Sequence, residues 1–88
     1  MFDIINAKYI KDYKIEFFFA DNSSGILDFS DYKKKSGLFE ALQDVTYFKH
    51  FKFDNDLGTI VWENGLDIAP DTIYYKAKGI LPPGLIDS

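Results

Sequence analysis

Apolar runs of strand type fill the first third of the chain. Residues 8–10 and 15–19 are rich in aromatic and β-branched side chains, which favour strands. Turn-forming residues follow at 21–25, and a third apolar run at 26–29 can return beside the second. This pattern predicts a three-stranded antiparallel meander.

The middle strand of this meander is apolar on both faces. Ile15, Phe17 and Phe19 alternate with Glu16 and Phe18. Because successive side chains of a strand point to opposite faces, each face receives at least one large apolar group. We expect one face to meet the core and the other face to need a cover.

The spacing of apolar residues then changes from a strand period to a helical one. Ser36 is a suitable N-cap for a short helix, and residues 30–35 before it could form a single turn. The residues spaced as one face of this predicted helix are Leu38, Ala41, Leu42 and Val45.

A second hairpin and a last short helix are predicted in the C-terminal half. Residues 51–53 and 59–62 are strand-like, with a turn-type segment between them. Pro70 and Asp71 suit the first turn of a helix, and Gly79 suits its end.

The predicted fold is a two-layer α+β domain. It is expected to span residues 1–79, with residues 80–88 as a C-terminal tail. Inward positions of the predicted elements define the expected core, which consists of Phe17, Phe19, Leu42, Phe51, Ile60 and Trp62.

Composition narrows the classes of function. With 88 residues the chain has room for one core, and aromatic residues, at 18%, supply much of its apolar area. The absence of cysteine excludes disulfides and thiolate metal sites. A net charge of −4 weakens attraction to nucleic acid and to anionic lipid.

The N-terminal residues show no basic segment followed by an apolar run, and no stretch is long and apolar enough to cross a bilayer. We therefore expect a cytoplasmic protein without a membrane partner.

Polar residues are densest between Trp62 and Tyr74. The members of this polar cluster are Glu63, Asn64, Asp67 and Asp71. Neighbouring carboxylates can act as acid and base or can bind a hard cation. The positions of Asp67 and Asp71, in a loop and at a helix start, favour acceptance of backbone N–H bonds instead. The spacing matches no metal motif, so no metal ligand and no cofactor is assigned.

A lone histidine and a run of lysines also carry groups that could do chemistry. His50 lies on the polar side of a predicted strand, which favours a solvated surface histidine over a catalytic one. Lys33, Lys34 and Lys35, with Lys49 and Lys52, could make a basic patch beside Tyr32 and Tyr47, but the negative net charge favours a solvated face and a helix C-terminus. No catalytic residue is assigned.

Residues 62–74 carry a resemblance to a known family. Their sequence, WENGLDIAPDTIY, together with the segments at 19–22 and 42–48, resembles the bacterial family called domain of unknown function 2442. The likeness covers nearly the whole chain. It implies a small α+β domain without established activity or catalytic residues, often encoded beside another short protein in an arrangement that looks like a toxin–antitoxin pair.

These observations favour a non-catalytic protein-binding module, acting as the partner or antitoxin-like half of a two-protein operon. A nucleic-acid-associated regulator and a small enzyme or metal binder using Asp67 and Asp71 are the alternatives. The partner is expected to be the product of a neighbouring gene, and a homodimer stays open. The candidate binding residues are Trp62, Asn64, Asp67, Asp71, Tyr74 and Phe18.

Overall fold

The computed structural model describes residues 3–80 and confirms the predicted meander. Strands β1 (Ile4–Lys11), β2 (Lys14–Phe19) and β3 (Ser24–Asp28) form one antiparallel sheet in that order. The turn after β2 places Asn22 in the left-handed region, which Asn tolerates better than most residues.

The inner face of this sheet builds the core. Ile15, Phe17 and Phe19 are fully buried, whereas Glu16 and Phe18 point to the opposite face and stay partly exposed. The alternation expected for β2 is therefore confirmed, because one of its faces is packed and the other reaches solvent.

The turn predicted within residues 30–35 is confirmed, but the helix predicted after Ser36 is divided into two pieces. Two 3-10 helices, Tyr32–Lys34 and Gly37–Gln43, are followed by the short helix α1 (Val45–Lys49). Of the four apolar residues predicted to share one face, only Leu42 is fully buried, and Leu38 is 50% exposed.

Asp44 explains why this helix does not continue. Its backbone is extended, and its side chain accepts a hydrogen bond from the Thr46 N–H at 2.9 Å. That bond caps the start of α1, so Val45 begins a new helix instead of ending an old one. The expected stripe therefore never forms as a unit.

The second hairpin and the last helix are confirmed. Strands β4 (Lys52–Asp54) and β5 (Thr59–Val61) pair antiparallel, and α2 (Pro70–Lys78) follows. Gly79 ends α2 at φ 69°, where its N–H reaches the carbonyls of the last turn. Of the predicted tail, residues 81–88 lie outside the described part of the chain.

Helix α2 packs against the inner face at β3. Gly25 makes this approach close, because a Cβ at that position would lie 2.7 Å from the carbonyl oxygen of Ala77. Of the expected core residues, all but Phe51 are buried, and Phe51 packs half-buried against the core. None of the helices within residues 3–80 is long and apolar enough to cross a membrane.

Candidate functional site

Trp62 holds the polar cluster to the core. Its side chain is only 2% exposed, and its indole N–H donates to the carbonyl oxygen of Phe48 at 2.8 Å. The rings of Phe29 and Phe48 lie within 6.2 Å and 5.9 Å of the Trp62 ring, centre to centre. Trp62 is therefore an anchor of the fold, and little of it is open to a ligand.

Asn64 organises the loop after β5. Its amide oxygen accepts from the Leu66 N–H at 3.0 Å, and its amide nitrogen donates to the Leu38 carbonyl at 3.1 Å. The backbone N–H of Asn64 donates to the Tyr47 hydroxyl at 2.9 Å. The first bond closes the loop on itself, and the other two join it to the second 3-10 helix and to α1.

Asp67 and Asp71 do not form the backbone bonds expected from the sequence. Both side chains are exposed, and Asp67 meets Val61 only through a backbone bridge. Asp71 lies in the first turn of α2, but the residue that precedes the helix is Ala69, which has no side-chain acceptor. Asp71 can therefore stabilise α2 only through the positive end of its dipole.

Tyr74 takes part in a contact that links α2 to the turn after β2. Its hydroxyl donates to one carboxylate oxygen of Asp21 at 2.8 Å. The other carboxylate oxygen accepts from the backbone N–H and the hydroxyl of Ser23. Hydrogen bonds from Ser23, then from Tyr74, lower the pKa of Asp21 to about 2, and the bond to Asp21 raises the pKa of Tyr74.

Asp21 was not among the residues selected from the sequence. The run of turn-forming residues at 21–25 signals its bond to Ser23. Its partner Tyr74 is 53 positions away, and no local pattern could indicate that contact.

A small cavity lies beside the polar cluster. It encloses about 100 Å³ and is lined by His50, Lys52, Val61, Trp62 and Glu63. Ligand pockets for drug-sized molecules usually enclose about 300–1,000 Å³, so this cavity suits only a few atoms. Within residues 3–80 no three His, Asp or Glu side chains gather as metal ligands do.

Phe18 lies apart from the other candidate residues, on the sheet face that points away from α2. The pairing places Phe18 between Asn6 and Ser24, and Glu16 between Lys8 and Ile26. We call this surface the outer face. The pairing places Phe18 and Ile26 there, and we include in the outer face the exposed Ile5 and Ile10, which lie at the two register irregularities of β1.

Apolar residues of the outer face are open to solvent on all three strands. Ile5 is 60% exposed, Ile26 is 50% exposed and Ile10 is 38% exposed. Most exposed apolar residues of monomers are scattered singly, whereas a group spread over three adjacent strands is typical of a binding surface. The structure thus divides the candidate residues among a core anchor, a loop, helix α2 and an open sheet face.

Comparison with known proteins matches the chain to a protein family. The profile of a family described as protein of unknown function (DUF2442) matches residues 4–79. No curated protein matches the chain, and no solved structure does. The match covers every helix and strand described above.

Proposed function

The chain belongs to the DUF2442 family of proteins of unknown function, and we propose that it is a non-catalytic module that binds another protein through the outer face. The observation that carries this proposal is the group of exposed apolar residues across the three strands. The partner is the product of a neighbouring gene, in the cytoplasm, and this chain is the antitoxin-like half of the pair.

Burial of this face would be favourable. Exposed apolar area contributes roughly 25 cal/mol per Å² when it leaves water, so two exposed isoleucines can supply a useful part of a binding free energy. Phe18, between them on the middle strand, is half-buried and would serve as the rigid centre of the contact.

The edge of the sheet is a poorer docking place than its face. Strand β1 carries two register irregularities, one between Ile4 and Asn6 and one between Tyr9 and Lys11. Bulges and exposed lysines on an edge strand hinder pairing with a further strand. A partner is therefore expected to lie across the strands.

The test is co-expression of the chain with the product of the adjacent gene, followed by size-exclusion chromatography and calorimetry. The double variant Ile5→Glu/Ile26→Glu should lose the complex, because it would bury two unpaired carboxylates in the interface. Leu57→Glu is the matched control, since Leu57 is 52% exposed but lies in the turn between β4 and β5.

A complex that survives in Ile5→Glu/Ile26→Glu, or that Leu57→Glu weakens equally, would contradict the assignment of the outer face. Sedimentation of the chain alone at increasing concentration separates a homodimer from a partner complex. Thermal melts of each variant show whether a lost complex reflects lost folding.

A further inference from the structure

Lysine side chains from two distant parts of the chain approach the ring of Tyr32. The rings of Tyr32 and Phe39 lie 5.6 Å apart at an interplanar angle of 28°. The Lys35 ammonium is 5.6 Å from the centre of the Tyr32 ring, and the Lys76 ammonium is 5.2 Å from it. We call these four residues the lysine–aromatic cluster.

The cluster lies at the β3 border of the sheet. Lys35 directly follows the first 3-10 helix, and Lys76 lies in the last turn of α2, next to the Ala77 that packs on Gly25. Tyr32 is buried while both lysines are exposed. The Tyr32 ring therefore orders the two lysine side chains, and their ammonium groups stay in water.

The positive charge of the cluster is not balanced within the described chain. No carboxylate of residues 3–80 forms an ion pair with Lys35 or Lys76. The attraction between a ring and a solvated ammonium group is weak. An acidic segment whose carboxylates reach both lysines would therefore gain two further attractions.

The surroundings of the cluster favour carboxylates over nucleic acid. Binding of single-stranded nucleic acid needs open aromatic faces on which bases stack. Here Tyr32 is buried, with Phe39 stacked on it and two lysines over it. The net charge of −4 further weakens attraction to a phosphate backbone, whereas a short acidic peptide needs only the two local charges.

We infer that the lysine–aromatic cluster binds an acidic segment of the partner protein, whose Asp or Glu carboxylates pair with Lys35 and Lys76. This inference rests on the proposed function, because it supplies the chemistry of the partner. Ile26 of the outer face and Gly25, which α2 covers, are neighbours in β3. One partner can therefore reach both surfaces around this edge.

The probe for this test is a fluorescent oligoglutamate peptide, titrated with the purified chain at low and at physiological salt. Lys35→Gln/Lys76→Gln should bind it about tenfold more weakly, since two exposed charge pairs are removed. Lys35→Arg/Lys76→Arg should keep the binding. The control Lys8→Gln/Lys11→Gln makes the same change of net charge on β1 and should leave binding within about twofold.

Equal weakening in the β1 control would overturn the inference, because the peptide would then sense only net charge. So would tighter binding of a single-stranded oligonucleotide that Lys35→Gln/Lys76→Gln abolishes. If the partner complex persists in that variant but is lost in Ile5→Glu/Ile26→Glu, the proposed function stands and the inference fails. If the cluster binds oligoglutamate but no adjacent gene product binds the chain, the proposed function fails instead.

Discussion

At the scale of single residues, Trp62 contributes to stability in two separable ways. Its ring fills the centre of an aromatic group, and its N–H satisfies the buried Phe48 carbonyl. Trp62→Ala should lower the free energy of unfolding by about 3–5 kcal/mol, because it removes a large buried ring. Trp62→Phe should cost about 1–3 kcal/mol, since it leaves that carbonyl without its donor.

Urea denaturation of both Trp62 variants measures these losses. Leu57→Ala is the control, because an exposed turn residue is expected to change stability by no more than about 0.5 kcal/mol. A Trp62→Ala protein as stable as this control would show that Trp62 does not belong to the core.

Asp21 makes stability depend on pH in the acid range. Its pKa in the folded chain is about 2, below the ordinary 3.8, chiefly because the charged form accepts bonds from Ser23 and then from Tyr74. A lowered pKa means that the stabilisation is fully present above pH 4 and disappears as pH falls towards 2. The gap in melting temperature between the parent and Asp21→Asn should therefore close over that interval.

Melting curves recorded from pH 6 to pH 2 check this dependence. Asp56→Asn is the matched control, because the Asp56 carboxylate is exposed and accepts no hydrogen bond within residues 3–80. If the difference in melting temperature between the parent and Asp21→Asn stays constant down to pH 2, ionisation of Asp21 adds nothing to its contact with Ser23 and Tyr74.

At the scale of elements, local patterns predicted the strands and α2 because their signals lie within a few residues. The meander follows from alternation and from the turn at 21–25, and α2 follows from Pro70 and Gly79. The helix predicted after Ser36 does begin at Gly37, but the prediction that it continues to Val45 was wrong because periodicity cannot register a competing cap. Asp44 supplies that cap, and it starts a new helix inside the predicted one.

The contact between α2 and β3 can be tested at Gly25. A Cβ there would meet the Ala77 carbonyl oxygen at 2.7 Å, and this oxygen belongs to the helix backbone and cannot turn aside. Gly25→Ala should therefore push α2 away from β3 and cost about 1–3 kcal/mol. Without this clash, alanine in place of a strand glycine would stabilise the strand slightly.

Chemical denaturation of Gly25→Ala gives the magnitude of this effect. Ser24→Ala, at the exposed neighbouring position, serves as the control and should stay close to the parent. A Gly25→Ala protein that is as stable as the parent, or more stable, would show that α2 does not pack closely against β3.

At the scale of the whole molecule, the candidate site was harder to predict than the fold. Trp62 and Asn64 belong to one local motif, so the sequence could indicate a structured loop there. The Tyr74–Asp21 contact and the approach of Lys35 and Lys76 to Tyr32 depend on how distant elements pack. The alternation of residues in β2 also showed that both of its faces carry apolar side chains. It could not show which face stays exposed to solvent.

The division of β3 between core and outer face yields the last prediction. Ile26 and Leu27 are neighbours in the sequence, yet Ile26 is 50% exposed and Leu27 is 7% exposed. Leu27→Ala should cost about 2–5 kcal/mol, because it leaves a cavity under the sheet. Ile26→Thr should change stability by less than about 1 kcal/mol, since Thr keeps the β-branched shape that suits a strand.

Partner binding should be affected in the opposite order, with the larger loss in Ile26→Thr and the smaller in Leu27→Ala. A partner that covers the outer face stabilises the parent by mass action and so raises its melting temperature. It should stabilise Leu27→Ala by a comparable free energy. Ile26→Thr should lose part of this increase although its own stability is nearly unchanged. Melts of the three proteins with and without the co-expressed partner measure both effects, and an equal increase for Ile26→Thr and the parent would place the partner on some other surface.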